Sequence, residues 1–337
     1  MGVPSQLQGS TIPFQYNDHA VSTQKKQFDS CSIMTEQSRA IMPAWTARDL
    51  EQTKITFADW LESKLENIND LNVELLGGPE NTGFSNETLS FNVSYNKDGD
   101  DIKKGMVLRF YPEGFFVFPD YDIHKQYLIM QKLANHEIKV PNVLWYEPSE
   151  KVFGTSFYVM EMANGDAPSD NPPFHQEGWV ADSSEKVREN IWWGWVEQMA
   201  KIHQVDITGG DFEFLNRPKL SEDYLEQELN YYFNFHDWAM EGEAHPVADQ
   251  AREWLIANKP NPKQASILWG DCRCANIMYT PDGMVSAVLD WEMAALGDPC
   301  IDLAWGIAID DCNSKCVHVD RLSGIPGPVA TKAKWEA

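Results

Sequence analysis

No stretch of this chain approaches the roughly 18 consecutive apolar residues of a membrane-spanning helix. Met1 to Phe14 has neither a basic start nor an apolar run, so a secretory signal is not expected. Gly2 would suit myristoylation, but Gln6 stands where that motif wants Ser or Thr. Basic residues are scarce: 27 Lys and Arg face 51 Asp and Glu, a formal charge of −24. General binding to nucleic acid or to an anionic membrane needs the opposite balance and is not expected. The acidity suits solubility, and equally a cationic substrate or a salty habitat. Six cysteines among 337 residues are too few for a disulfide scaffold, which makes the cytoplasm the expected compartment. What remains is an ordinary globular mix, 43% hydrophobic and 23% charged, long enough for two lobes or domains.

Residues 1–48 are polar and aperiodic, with four basic and three acidic side chains, and read as a flexible N-terminal extension. Asp49 to Ile68 reads as an amphipathic helix with Phe57, Trp60, Leu61, Leu65 and Ile68 on one face. Strands are expected at Val73–Leu76, Thr88–Tyr95, Met106–Tyr111, Val143–Tyr146 and Ser156–Glu161, with a helix over Asp122–Ala134. The loop from Gly77 to Asn86 bears glycines and joins the first two strands as a hairpin. These elements describe a small sheet-based lobe, 49–162, with a helix packed on it. After Met162 the pattern turns helical. Helices are expected at Ser184–Val205, Glu222–Met240 and Val247–Ala257, then short strands at Ile267–Trp269, Ile277–Tyr279 and Val285–Leu289. The second lobe is 163–337, and the fold class is α+β.

The informative stretch is Trp269-Gly270-Asp271-Cys272-Arg273-Cys274-Ala275-Asn276, followed by Asp290-Trp291-Glu292. Asp271 and Asn276 are five apart, and Asp290 lies beyond a predicted hairpin, the order in which protein kinases place a base and two metal ligands. Phosphoryl transfer needs an oxygen that can orient a hydroxyl and take its proton, which Asp271 supplies. It needs Mg²⁺ on the phosphates of ATP, and magnesium prefers oxygen donors such as the Asn276 amide and the Asp290 carboxylate. Arg273 is placed to offset charge on the transferring group, or else to form an ordinary ion pair.

On the nucleotide side, Gly83, Ser85 and Asn86 offer backbone N–H groups and a hydroxyl to phosphates, although Gly, Ser and Asn also simply make turns. Arg109 stands in a strand where a kinase carries its phosphate-binding lysine; an exposed strand arginine is the alternative. The backbone of Met160-Glu161-Met162, where the lobes join, could hydrogen-bond adenine.

Together these motifs resemble the aminoglycoside phosphotransferase-like family, in particular bacterial phosphotransferase family members and the kinase domains joined to some acyl-CoA dehydrogenases. The likeness runs from about residue 50 to the end. It is carried by TGFSNETLSFNV (82–93), MVLRFYPEG (106–114), VFPDYDIHKQYLIMQKL (117–133), GTSFYVMEMANG (154–165), MAKIHQVD (199–206), WGDCRCAN (269–276) and VLDWEMAALGDPCIDLAW (288–305). The resemblance implies a two-lobed protein-kinase-like fold, with a small antiparallel-sheet lobe and a mainly helical one. It implies ATP-dependent transfer of a phosphoryl group to a hydroxyl of a small molecule. It assigns Asp271 as base, Asn276 and Asp290 as holders of Mg²⁺, and the region of Ser85, Asn86 and Arg109 to the ATP phosphates. Asp302 matches an acid that braces the catalytic loop.

Three departures stand out. Trp269 replaces a histidine common in relatives. Arg109 and Gln126 replace the Lys–Glu pair of the wider kinase pattern. The family continues for several helices beyond the stretch matching Gly324-Ile325-Pro326, so the substrate-side lobe is expected to be truncated. These departures motivate a second reading, a nucleotide-binding pseudokinase or interaction module. A third, a metal site built from Cys272, Cys274, Cys300, Cys312 and Cys316, lacks a paired zinc spacing. His203 and the tryptophans 192, 193 and 195 read as packing residues. For the acceptor, Asp211, Glu213, Glu222, Asp223, Glu226 and Glu228 read either as an acidic groove or as a solvated helix face, with Tyr231, Tyr232, Phe233 and Phe235 nearby.

Overall fold

Asp49 accepts a hydrogen bond from the Gln52 N–H at 3.0 Å and starts helix α1, Leu50–Lys64. The helix stops four residues short of the predicted end. Leu65 turns extended and Asn67 adopts a left-handed backbone (φ 58°), so Ile68 opens a strand instead. This computed structural model describes residues 48–77, 87–112, 117–261 and 265–336. The expected extension over 1–48 lies outside the described residues apart from Arg48. That side chain is not loose: it pairs with Glu87, donates to the Phe153 carbonyl at 3.0 Å and lies over the Phe110 ring.

The first sheet contains β1 (Ile68–Gly77), β2 (Thr88–Lys97), β3 (Asp100–Phe110), β4 (Val143–Glu147) and β5 (Phe157–Glu161), in the order β1-β2-β3-β5-β4 and antiparallel throughout. Its two faces follow the period-two alternation of a strand. Leu89, Phe91, Val93, Met106, Leu108, Phe157 and Val159 join Phe57, Trp60 and Leu61 of α1 in one core. Val107, Tyr158 and Met160 face the other way, onto helix α2 (Ile123–Leu133), whose N-cap is Asp122. Strand β3 begins six residues before the predicted Met106. Its polar start, Asp100 to Lys104, pairs with β2 across Asp98-Gly99, both at positive φ. An Asp-Gly pair of this kind is a strong hairpin signal.

Beyond Met162 come a short helix α3 (Trp179–Asp182), then α4 (Glu185–His203), α5 (Tyr224–Met240) and α6 (Pro246–Ala257). Strand β6 (Ser266–Leu268), the hairpin β7 (Ile277–Tyr279) and β8 (Val285–Val288), β9 (Ala295–Gly297), α7 (Cys300–Cys312) and α8 (Gly327–Glu336) follow. Helix α4 is the spine: Ile191, Trp192, Trp195, Met199 and Ile202 are buried, and their core is continuous with the α2 face of the sheet. The pairing of β6 with β9 was not expected from sequence, because Ala-Leu-Gly carries no strand alternation. The class is α+β, as expected. Among the described residues no helix is long and apolar enough to cross a membrane.

Candidate active site

The loop after β6 is clamped from below. Asp302, fully buried on α7, accepts from the backbone N–H of Trp269 (2.8 Å) and of Gly270 (2.9 Å), and bonds His203 Nε2 at 2.8 Å. Gly270 has φ 89°, and a Cβ there would meet the Met293 backbone at 2.5 Å, so only glycine fits. Trp269 fills the position of the expected histidine. Its indole N–H donates to the Leu289 carbonyl at 2.8 Å, and the Leu289 N–H donates to the Asn276 carbonyl at 2.8 Å. The residue before Asp290 is therefore tied to both ends of the Asp271 loop.

That loop presents Asp271 with three donors. Asn276 Nδ2 (2.7 Å) and Arg273 Nε (2.8 Å) bond Oδ2, and Trp305 Nε1 (2.8 Å) bonds Oδ1. Burial pushes the Asp271 pKa up to about 6. The Trp305 and Asn276 hydrogen bonds oppose that rise, and the negative charges of Asp290 and Asp302 reinforce it. Arg273 also pairs with Asp170, whose other oxygen accepts from Asn313 Nδ2 at 2.9 Å. The ordinary ion pair weighed for Arg273 is thus present, with two acids.

Asp290 has a left-handed backbone (φ 61°), which Asp tolerates better than most residues and which turns its carboxylate toward β3. Arg109 Nη2 donates to Asp290 Oδ1 at 2.8 Å and reaches Glu292 Oε2 at 3.5 Å. Burial alone would lower the Arg109 pKa; the nearby Asp290, Tyr158 and Glu292 charges reverse this and raise it. The missing Lys–Glu pair is therefore replaced across the lobes. Gln126 is buried on α2 and accepts from the Tyr158 hydroxyl at 3.4 Å, while the arginine finds its carboxylates after β8.

The donors fit a magnesium ion. Asn276 spends its Nδ2 on Asp271, also bonding that residue's carbonyl at 3.0 Å, so that its amide oxygen is the atom it would offer a cation. An amide oxygen and a carboxylate are hard ligands, and a cation shared with phosphates and water needs few more from protein. Among the described residues no three His, Cys, Asp or Glu side chains gather as a metal cluster. Cys272 and Cys274 are buried, whereas Cys300, Cys312 and Cys316 are exposed.

Of the other predicted residues, Gly83, Ser85 and Asn86 lie outside the described residues. Glu161 ends β5 and Met162 follows it. Their N–H groups are already committed, to the Asn142 and Gly105 carbonyls at 2.9 Å each. The Glu161 carboxylate pairs with Lys104 at 2.6 Å. The acidic run is mostly occupied: Glu228 is buried against Arg217 (2.6 Å), Asp223 caps α5, Asp211 pairs with Lys132 and Glu226 with Lys259. For Glu228 the solvated-face reading is therefore corrected: Arg217 draws its carboxylate inward. Burial raises its pKa to about 7.

Sequence reasoning missed Trp305 and Lys125. Lys125 is half-buried on α2, donates from Nζ to the carbonyls of Glu292 (2.8 Å) and Ala294 (3.2 Å), and its pKa is lowered to about 8, chiefly by desolvation. Backbone carbonyls are invisible to motif matching, so no sequence signal marks it.

The profile of the phosphotransferase enzyme family matches residues 83–314. Among curated proteins, the chain is 27% identical over 201 residues to acyl-CoA dehydrogenase family member 10 of Mus musculus, covering 59% of this chain and 18% of that protein. It is 28% identical over 208 residues to acyl-CoA dehydrogenase family member 11 of Homo sapiens, covering 60% and 25%. The chain thus spans a quarter or less of the length of these relatives. Among solved structures, a provisionally named aminoglycoside phosphotransferase from Ralstonia eutropha JMP134 superposes with a TM-score of 0.56 at 23% identity, over 84% of this chain and 79% of that one. An aminoglycoside-3'-phosphotransferase of type VIII gives 0.51 at 10% identity, over 85% and 93%. These likenesses establish the two-lobed protein-kinase-like fold.

Proposed function

Because this chain belongs to the phosphotransferase enzyme family, we propose that it transfers the γ-phosphoryl group of ATP to a hydroxyl of a small molecule. The observation that carries this reading is the Asp271–Asn276 hydrogen bond with Asp290 tied to the same loop. The acceptor oxygen bonds the γ-phosphorus as the bond to the β,γ-bridging oxygen breaks, and that electron pair leaves on ADP. The hydroxyl proton passes to Asp271. Its Oδ1 carries one donor and Oδ2 two, so Oδ1 is the receiving oxygen. Mg²⁺, held by Asn276 Oδ1 and Asp290, would neutralise phosphate charge. Arg273 offsets charge on the transferring group while Asp170 and Asp271 fix its direction.

In this reading 49–162 is the nucleotide lobe and 163–337 the catalytic and substrate lobe. Arg109 is assigned to the phosphates, as Gly83, Ser85 and Asn86 are from the sequence resemblance, and Glu161 and Met162 to the adenine. The test is ADP formation from ATP–Mg²⁺ across a panel of hydroxylated compounds, with Asp271→Ala as control. Turnover that no compound raises above the control would sink it. One observation favours the pseudokinase alternative: Arg109 already occupies an oxygen of Asp290. Binding of ATP–Mg²⁺ without turnover in that screen selects it.

A further inference from the structure

Trp305 differs from the other tryptophans around the loop. Trp192, Trp195, Trp269 and Trp291 are buried to within 1%, whereas the Trp305 side of α7 is open and this residue is 38% exposed. Its indole N–H is nonetheless engaged, at 2.8 Å from Asp271 Oδ1, the sparsely bonded oxygen. The helix that carries it cannot slide. A Cβ on the next residue, Gly306, would meet the Trp195 ring at 2.1 Å and the Cys272 carbonyl at 2.7 Å, so α7 lies directly on the Asp271 loop. Around Trp305 the exposed residues of α7 are uncharged: Ala304, Ala308 and Cys312. The acids nearby are engaged. Asp170 takes Arg273 and Asn313, Asp310 takes His175 and Arg321, and Asp311 takes Lys315 and Arg321.

We infer that Trp305 is the positioning residue for Asp271 and the apolar floor of the acceptor site. The N–H pins Oδ1 so that a remaining lone pair faces the incoming hydroxyl, and the exposed ring carries the acceptor's carbon surface. The class of acceptor is an alcohol flanked by uncharged ring or hydrocarbon, because a polycation would meet carboxylates already paired. The inference rests on the phosphotransfer reading above. In the step concerned, the hydroxyl proton moves to Oδ1 as the oxygen–phosphorus bond forms, and the indole keeps its own proton.

The test compares Trp305→Phe, which keeps a ring and loses the N–H, with Trp305→Ala, which loses both. Two probes serve. Water is the acceptor in ATP hydrolysis, and benzyl alcohol is the ligand in saturation-transfer NMR with ADP and Mg²⁺ present. Trp305→Phe should slow hydrolysis about tenfold with KM for ATP unchanged, the loss expected for one hydrogen bond to a charged group. It should keep the benzyl alcohol signal, and Trp305→Ala should lose it. In both variants ATP should raise the melting temperature as in the wild type. Hydrolysis by Trp305→Phe within twofold of wild type, a benzyl alcohol signal surviving in Trp305→Ala, or loss of ATP stabilisation in both would overturn the inference. Asp271→Ala separates the two levels. If it hydrolyses ATP at the wild-type rate, the phosphotransfer reading falls and takes this inference with it. If it is slow while Trp305→Phe is fast, the Trp305 assignment alone falls.

Discussion

The segment between β6 and α7 and the helix α6 belong to the same half of the chain and are held in opposite ways. There Asp271, Arg273 and Asn276 bond one another, Asp290 pairs with Arg109 of β3, and the fully buried Asp302 of α7 clamps the loop from below. Helix α6 buries no residue at all, and Val247, Trp254 and Ile256 are more than half exposed. Its ties are surface contacts, such as Arg252 to Asp237 at 2.8 Å, which contribute little. Satisfied buried polar networks are stiff and intolerant of change, whereas exposed helix faces vary at small cost. The candidate site is built into the fold, whereas α6 is free to differ.

The sharpest way to break that contrast is Asp271→Ala, expected to lower kcat by about 10²–10⁴, read from ADP formation, a loss far larger than the change in stability from the three donors it leaves without an acceptor. Asp302→Ala should do the reverse in emphasis. It strands two loop N–H groups and His203, at about 3–5 kcal/mol of stability measured by urea unfolding. Glu228→Gln probes the boundary between the regions. The folded state holds the Glu228 proton more tightly than the unfolded chain does, so its stabilisation is full below the ordinary carboxylate range and is lost as pH rises through about 7. The Gln variant should therefore gain on the wild type by about 1–2 kcal/mol between pH 5.5 and 8, read from melting curves at both. Trp254→Ser on α6 should change stability by no more than about 0.5 kcal/mol by the same measurement. A larger loss would mean that α6 is not the loosely held element its exposure indicates.

Much of this was legible in the sequence because it is written in local spacing. Phe57, Trp60 and Leu61 announced the buried face of α1, and the interval from Asp271 to Asn276 announced the loop. What could not be read depends on geometry between distant segments. Nothing near Arg109 tells that its carboxylates come from Asp290 and Glu292, and the Lys–Glu template pointed to Gln126 instead. Trp305 lay inside the motif 288–305, yet only the approach of α7 at Gly306 puts its N–H on Asp271. The early start of β3 was available in Asp98-Gly99, but the polar strand beyond it concealed the alternation.

The Arg109–Asp290 pair joins positions 181 residues apart. A ribosome adding about 5–20 residues per second needs roughly 10–40 s to make the second partner after the first. Throughout that interval the sheet can close around Phe91 and Leu108 while its guanidinium must stay in water. The Arg109–Asp290 contact thus forms late, and any chemistry that depends on it waits until both segments have been made and brought together.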